Sequence, residues 1–340
     1  MSAARVTTGI VGLGRWGRNL VTSGQGGPLC FTHAATRTPA KATEFCIEQG
    51  LDLRPALADI LDDVEAVVLA TPHSQHGAQV RAAAAARRHV FVEKPLALNV
   101  EDAASAFDAC TAAGVQLAVG FNRRHLPGYQ ALCARVQGGA IGRPLHVEGS
   151  FCGPFGYDYS DEMWRGSSDE NPAGGMAAMG IHILDAMIAV MGRIARVSVL
   201  SRRLAVSSQL DDTTTVHLDF ASGATGTLST LMASAPFWRL HVFGSEGWAQ
   251  MPDQTRLLTS NLAGECTEQS FAPVDTLAAE LASFAAAMRR SEDYPVTREQ
   301  ALAGVATMEA IGRSATWQGA WVEVPALPPS ASLDRSGTPT

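Results

Sequence analysis

Short, nearly unbroken apolar runs alternate with helix-like stretches through the first third of the chain. Residues 5–11, 29–35, 64–70, 89–93 and 115–120 read as strands. Residues 15–22, 40–49, 78–88 and 100–113 read as helices, with Asn99 placed to cap the last. Runs that do not alternate polar with apolar fit strands buried on both faces, and strand–helix alternation predicts a parallel sheet covered by helices. The pattern changes near residue 123. A helix at 127–137 and a strand at 144–151 precede a polar loop with aromatics at 152–172 and a helix predicted over 173–191. Period two then takes over. Val216, Leu218 and Phe220 share one face and Thr215, His217 and Asp219 the other, and Trp238, Leu240 and Val242 repeat the pattern. Turns at Ser222-Gly223 and at 245–247 complete the signature of an open, mainly antiparallel sheet. Its apolar face belongs on helices; the other meets solvent or a second subunit. Helices at about 274–290 and 297–318 close the chain, and the Pro- and Ser-rich residues 326–340 are expected to form a mobile tail.

The predicted fold class is therefore α/β. A doubly wound parallel-sheet domain spans 1–122, and a second domain of helices and open sheet spans 123–325. The length of 340 residues supports two such cores. A net charge of −7 makes nonspecific nucleic-acid binding unfavourable. No apolar run reaches the ~18 residues of a membrane span, and residues 1–5 lack the apolar stretch of a secretory signal. The six cysteines form no Cys-x-x-Cys pair and read as reduced thiols of a cytoplasmic protein. His73 and His76 are three apart without an evident third ligand, so no metal is expected.

Gly12-Leu13-Gly14-Arg15-Trp16-Gly17 follows the first strand and opens the first helix. In that context the three glycines serve a tight turn, a close approach of backbone to a pyrophosphate, and helix–strand packing. The helix N-terminus then offers free N–H groups to the anion. The second strand ends at Thr36-Arg37, where NAD-type sites place an acid about 20 residues past the loop to bind the ribose hydroxyls. A guanidinium there suits a 2′-phosphate instead. NADP is thus the favoured cofactor, with NAD as the alternative.

At Glu93-Lys94-Pro95 the chain resembles the Gfo/Idh/MocA family, which includes glucose–fructose oxidoreductase and inositol dehydrogenase. The resemblance runs from Val6 to about Val324. It rests on the Gly12–Gly17 loop, Ala70-Thr71-Pro72 with His76, Gly120-Phe121-Asn122 with Arg124, and Trp164-Arg165. Gly174-Gly175, Gly180-Ile181-His182 with Asp185, and Gly244 to Gly247 complete it. The resemblance implies a Rossmann domain, a nicotinamide cofactor, a C-terminal sheet often used for oligomerisation, and sugar, inositol or other cyclic polyol substrates. It also implies that Thr71, Pro72 and His76 line the dinucleotide and that Glu93 and Lys94 stand near the reacting carbon. Lys94 would move the proton of the substrate hydroxyl, as a partly desolvated lysine can. His182 would face the cleft and trade a proton near pH 7. Asp185, three residues on, either orients His182 or makes a structural hydrogen bond. Asn122, Tyr157, Trp164 and Arg165 are the remaining substrate candidates, with Asp158 and Tyr159 beside them. Many members carry an Asp four residues before this His; here that position is Ala178.

The expected protein is an NAD(P)-dependent oxidoreductase acting on a secondary alcohol of a cyclic polyol, sugar or related compound. A dihydrodiol-type dehydrogenase of aromatic breakdown is the near alternative. A non-catalytic dinucleotide sensor on the same fold, like the galactose-pathway repressor, is the alternative that Ala178 supports. The partner is a small molecule, with pairing into a homodimer or homotetramer through the open sheet.

Overall fold

The computed structural model describes residues 5–329, so residues 330–340 of the expected tail lie outside the described residues. Six parallel strands form the first sheet: β1 (Val6–Val11), β2 (Leu29–Ala35), β3 (Asp52–Arg54), β4 (Ala66–Leu69), β5 (His89–Glu93) and β6 (Leu117–Gly120). Their order is β3-β2-β1-β4-β5-β6. Every residue of β4 is buried, which is why the sequence there shows no polar alternation. Helices α1 (Arg15–Gly24), α2 (Thr43–Gln49), α3 (His73–Ala85) and α4 (Val100–Ala113) connect the strands. Asn99 caps α4 by accepting from the Asp102 amide at 2.9 Å. The three-residue edge strand β3 exposes Asp52 and Arg54 and is too short and polar to be legible in the sequence. The strand order reverses at β1, which has β2 on one side and β4 on the other. A crevice therefore opens at the carboxyl ends of β1 and β4.

The second sheet has nine strands. They are β7 (Pro144–Cys152), β8 (Ile194–Arg202), β9 (Thr213–Phe220), β10 (Thr225–Leu231), β11 (Phe237–Gly244), β12 (Gly247–Met251), β13 (Arg256–Asn261), β14 (Cys266–Ser270) and β15 (Val322–Glu323). Their order is β14-β13-β12-β11-β7-β10-β9-β8-β15, and only β7 with β10 is parallel. Helices α5 (Pro127–Gln137), α6 (Gly180–Met191), α7 (Thr276–Met288) and α8 (Arg298–Thr316) complete the chain. Val216, Leu218, Leu228 and Leu240 face α6 and α8 and are fully buried. The opposite face carries His146, Glu148, His217, Arg239, His241 and Trp248, where His241 stacks on Phe243 at 3.8 Å and Arg239 meets Glu148 at 2.8 Å.

The helix predicted over 173–191 begins only at Gly180. Ala173 and Gly174 both have positive φ, at 56° and 59°. A left-handed pair cannot continue a right-handed helix, and residues 174–176 make a separate short turn. A Cβ on Gly174 would stand 1.9 Å from the Asp211 carbonyl oxygen, so the chain can pass there only as glycine.

The last two helices return to the first sheet. Phe284 of α7 packs on Phe91 of β5 with ring centroids 5.8 Å apart. The Tyr294 hydroxyl donates to the Val119 carbonyl at 3.1 Å, and Arg298 reaches Asp108 at 3.0 Å. The two sheets are thus joined by packing as well as by the chain at residue 123.

Candidate active site

The loop between β1 and α1 is shaped by its glycines. Gly12 has φ +95°, and a Cβ there would lie 2.5 Å from the Ala70 carbonyl oxygen. A Cβ on Gly17 would stand 1.9 Å from the Gly12 carbonyl oxygen, so α1 can approach β1 only as glycine. Gly14 is different: a Cβ there would meet nothing, and the residue is exposed at the mouth of the crevice. No side chain caps α1 and no acid lies in its first turn, so its amides and Arg15 are available to an anion. This cradle fits the pyrophosphate of a dinucleotide.

Lys94 and His182 both line the cleft below that loop. The strand β5 ends at Glu93 and delivers Lys94 to its carboxyl end, where the ammonium Nζ donates to the carbonyls of Ala178 (2.9 Å) and Ala177 (3.3 Å). Burial lowers Lys94 to about 8, against the raising effect of Glu93, and raises Glu93 to about 7. His182 is buried near the start of α6, between the rings of Phe121 and Phe151. Burial, with Lys94 and Arg123 nearby, pushes it well below the usual histidine value. That shift favours the neutral imidazole, able to hydrogen-bond an oxygen.

The loop after β7 lies over the cleft. Phe151, Phe155, Tyr159, Trp164 and Arg165 line it together with Arg15, Trp16, Thr71, His76 and Glu93. Arg165 stacks on Trp164 at 4.2 Å, and Trp164 meets the edge of His73 at 5.0 Å. Glu170 ties this loop to the amino end of α3. His73 donates to the Glu170 carbonyl at 2.8 Å, the Ser74 amide donates to its carboxylate at 3.1 Å, and the Ser74 hydroxyl donates to the same carboxylate. His76 sits deeper, with its ring nitrogens 2.8 Å from the Pro95 carbonyl and 3.0 Å from the Thr71 carbonyl. It stitches together two of the strand ends that form the cleft.

Three substrate candidates fall elsewhere. Asn122 is buried and donates to Thr276 Oγ1 at 2.8 Å, facing α7 rather than the cleft. Asp185 accepts two bonds from Arg124, at 2.7 and 2.8 Å, in a buried pair, so it braces α6 instead of orienting His182. Tyr157 is 62% exposed and does not line the cleft. Thr36 is half-buried and Arg37 exposed at the end of β2, away from Lys94. Sequence reasoning missed Arg123, which lines the cleft beside Phe151. Its neighbour Arg124 drew attention as a motif residue, yet the short turn at residues 122–125 sends Arg124 inward and Arg123 to the cleft. It also missed Glu280 of α7, fully buried with neither carboxylate oxygen bonded. Its one signal was an acid amid the apolar residues of an Ala-rich helix.

A doubly wound sheet with a glycine phosphate cradle, a lysine at a strand end and a buried histidine in the same cleft defines a dinucleotide-dependent oxidoreductase. The chain belongs to the Gfo/Idh/MocA family. Residues 6–121 match its oxidoreductase domain with the NAD-binding Rossmann fold, and residues 129–250 match its C-terminal domain. The chain is 34% identical to scyllo-inositol 2-dehydrogenase (NAD(+)) of Bacillus subtilis over 43% of its length, a stretch that spans only 44% of that enzyme. It is 27% identical to D-xylose 1-dehydrogenase (NADP(+)) 2 of Haloferax volcanii, covering 85% of this chain and 90% of that one. Its fold is similar to that of a levoglucosan dehydrogenase solved with NADH and levoglucosan, with a TM-score of 0.84 and 21% identity over 94% of this chain and 99% of that one.

Proposed function

We propose that the protein is an NAD(P)-dependent dehydrogenase that interconverts a secondary alcohol and a ketone on a cyclic polyol or sugar. The observation that carries this reading is Lys94. Its amine stands at the strand end that lines the cleft, lowered to about 8, with a neutral imidazole in the same cleft. A bound nicotinamide supplies hydride transfer. The chain's own task is the proton. Lys94 takes it from the hydroxyl as the carbonyl forms, or returns it in the reverse direction. His182 holds the reacting oxygen by a hydrogen bond without changing charge. Relatives named for inositol and xylose support the substrate class.

NADP is the cofactor we favour, because Arg37 is exposed at the end of β2 and Thr36 brings no carboxylate. Ala178 favours the second reading, a dinucleotide sensor without turnover, since no carboxylate can act from there. Following absorbance of the reduced nicotinamide against inositols, hexoses, acid sugars and cyclic diols, with NADP and NAD, decides between them. Turnover of a polyol or sugar supports the enzyme. Binding of dinucleotide with no turnover of any compound supports the sensor.

We further propose that the exposed face of the nine-stranded sheet pairs with a second copy about a two-fold axis. Leu200 and Phe237 stand half exposed on it. Light scattering that gives a monomer at micromolar concentration removes this reading. A cytoplasmic location is supported by six cysteines that are all free. Among the described residues no helix is long and apolar enough to cross a membrane.

A further inference from the structure

Beside Lys94, from the cleft wall at Glu93 and Arg123 inward to α7, lies a group of buried polar atoms. Glu93 Oε1, Asn122 Oδ1, Arg123 Nε and both carboxylate oxygens of Glu280 have no hydrogen-bond partner among the described residues. Buried polar atoms are nearly always paired, and several orphans in one place form a site that bridging water can satisfy. The fold brings them together. The helix α7 packs on the turn at residues 122–125, where Thr276 accepts from Asn122. Glu280 is one helical turn beyond Thr276 and so lies on the same face. A Cβ on Gly120 would stand 3.0 Å from Glu93 Oε1, so glycine leaves that carboxylate its room.

Oxidation of an alcohol leaves one proton on Lys94 in every turnover, and that proton must leave before the next turnover begins. We infer that Glu93 and Glu280 form a proton relay from Lys94 inward to α7, leading towards solvent at its amino end. Through bridging water, the Lys94 ammonium gives up one N–H as the Glu93 carboxylate gains an O–H, which restores the neutral amine. Glu280 accepts that proton on one oxygen and releases its own from the other, through water, ending in its starting state. In the reductive direction each transfer runs backwards, and no other oxidant or reductant is needed.

The charged and titratable groups that face Glu280 are consistent with this use. Glu93 and Lys94 face it from β5, Arg123 from the turn after β6, Asp275 from its own helix, and Tyr294 from the segment beyond α7. Burial, with Glu93 beside it, raises Glu280 well above the usual carboxylate range, so it enters the relay as an acid. Asp275 is exposed at the outer end. Glu280 touches no substrate and acts through Glu93 and Lys94, which makes it a positioning residue for the proton.

The inference rests on the dehydrogenase reading, and its test separates the two. Glu280→Gln and Glu280→Met remove the acid while keeping much of its volume, and thermal melting checks that each folds. With a polyol that the wild type oxidises, the relay predicts a kcat about tenfold lower or more in either folded variant. KM should hold, and the solvent deuterium isotope effect on kcat should rise because proton exit becomes limiting. Unchanged kcat, or a lower kcat with an unchanged isotope effect, overturns the relay. So does failure of both variants to fold, which would make Glu280 a structural residue. If no polyol or sugar turns over with the wild type, the functional reading fails, and the relay is judged on binding alone. Calorimetry of oxidised NADP or NAD in two buffers of different ionisation enthalpy counts the protons released near pH 8. Release by the wild type that Glu280→Gln reduces supports proton sharing beside Lys94; equal counts overturn it.

Discussion

Lys94 donates from Nζ to the backbone carbonyl of Ala178 at 2.9 Å. The residue at 178 thus meets the lysine through its main chain, and its side chain brings no carboxylate to the cleft. A carbonyl can orient an ammonium but cannot exchange a proton with it. On the proposed reading, the proton chemistry of the cleft therefore falls to Lys94 and the groups beside it.

Lys94→Ala should lower turnover by ~10²–10⁴, the usual worth of a general acid–base group, and leave dinucleotide affinity nearly intact. The pH dependence carries a sign. Oxidation needs the neutral amine, so kcat/KM for the alcohol should rise with pH and level off above about 8. Reduction of the ketone should show the opposite limb. Turnover that is unchanged in Lys94→Ala would remove Lys94 from the mechanism.

The Arg124–Asp185 pair makes a stability prediction. Both side chains are buried and joined by two short bonds. Removing one partner strands a buried charge, so Asp185→Ala should cost about 3–5 kcal/mol in urea unfolding. Replacing both with apolar residues of similar volume should recover much of that loss. A loss of turnover with unchanged unfolding would mean that Asp185 serves the chemistry instead of the fold.

Glu170 holds the loop over the cleft by its bonds to Ser74 and His73 at the amino end of α3. A carboxylate at a helix N-terminus contributes about 0.3–1 kcal/mol. Glu170→Ala should therefore shift the melting temperature little. It should speed release of the reduced dinucleotide several-fold, read by stopped-flow fluorescence, because Trp164 and Arg165 ride on the same loop. An unchanged release rate would show that the loop is held by its own packing.

Cofactor choice turns on the end of β2. The wild type should bind NADP more tightly than NAD by calorimetry. Thr36→Asp with Arg37→Ala puts a carboxylate beside a 2′-phosphate and should cut NADP affinity by at least roughly 10²-fold. NAD binding should hold or improve as the acid accepts from the ribose hydroxyls. A wild type that prefers NAD would show Arg37 pointing to solvent.

The parallel core was legible in the sequence because buried strands leave unbroken apolar runs, as 64–70 does around β4, and because Gly12 and Gly17 occupy positions where a side chain has no room. The open sheet was legible for the same local reason: Val216, Leu218 and Phe220 alternate with polar neighbours at the period of a strand. Periodicity reports one element's relation to burial and nothing about which elements meet. That limit explains the rest. The sequence around residue 173 is apolar enough for a helix, but contact with Asp211 holds Gly174 in a left-handed conformation. Asp185 and Asn122 carry the right chemistry for a site, yet Arg124 and Thr276, 61 residues before one and 154 after the other, claim them. Lys94 was placed by a short motif. Its Ala178 contact, the buried His182 and the acid of Glu280 depend on the segment leading into α6 meeting Lys94 and on α7 packing against β5 and the turn after β6. Those groups owe their protonation to burial, which exists only once the two sheets and the last helices have packed together.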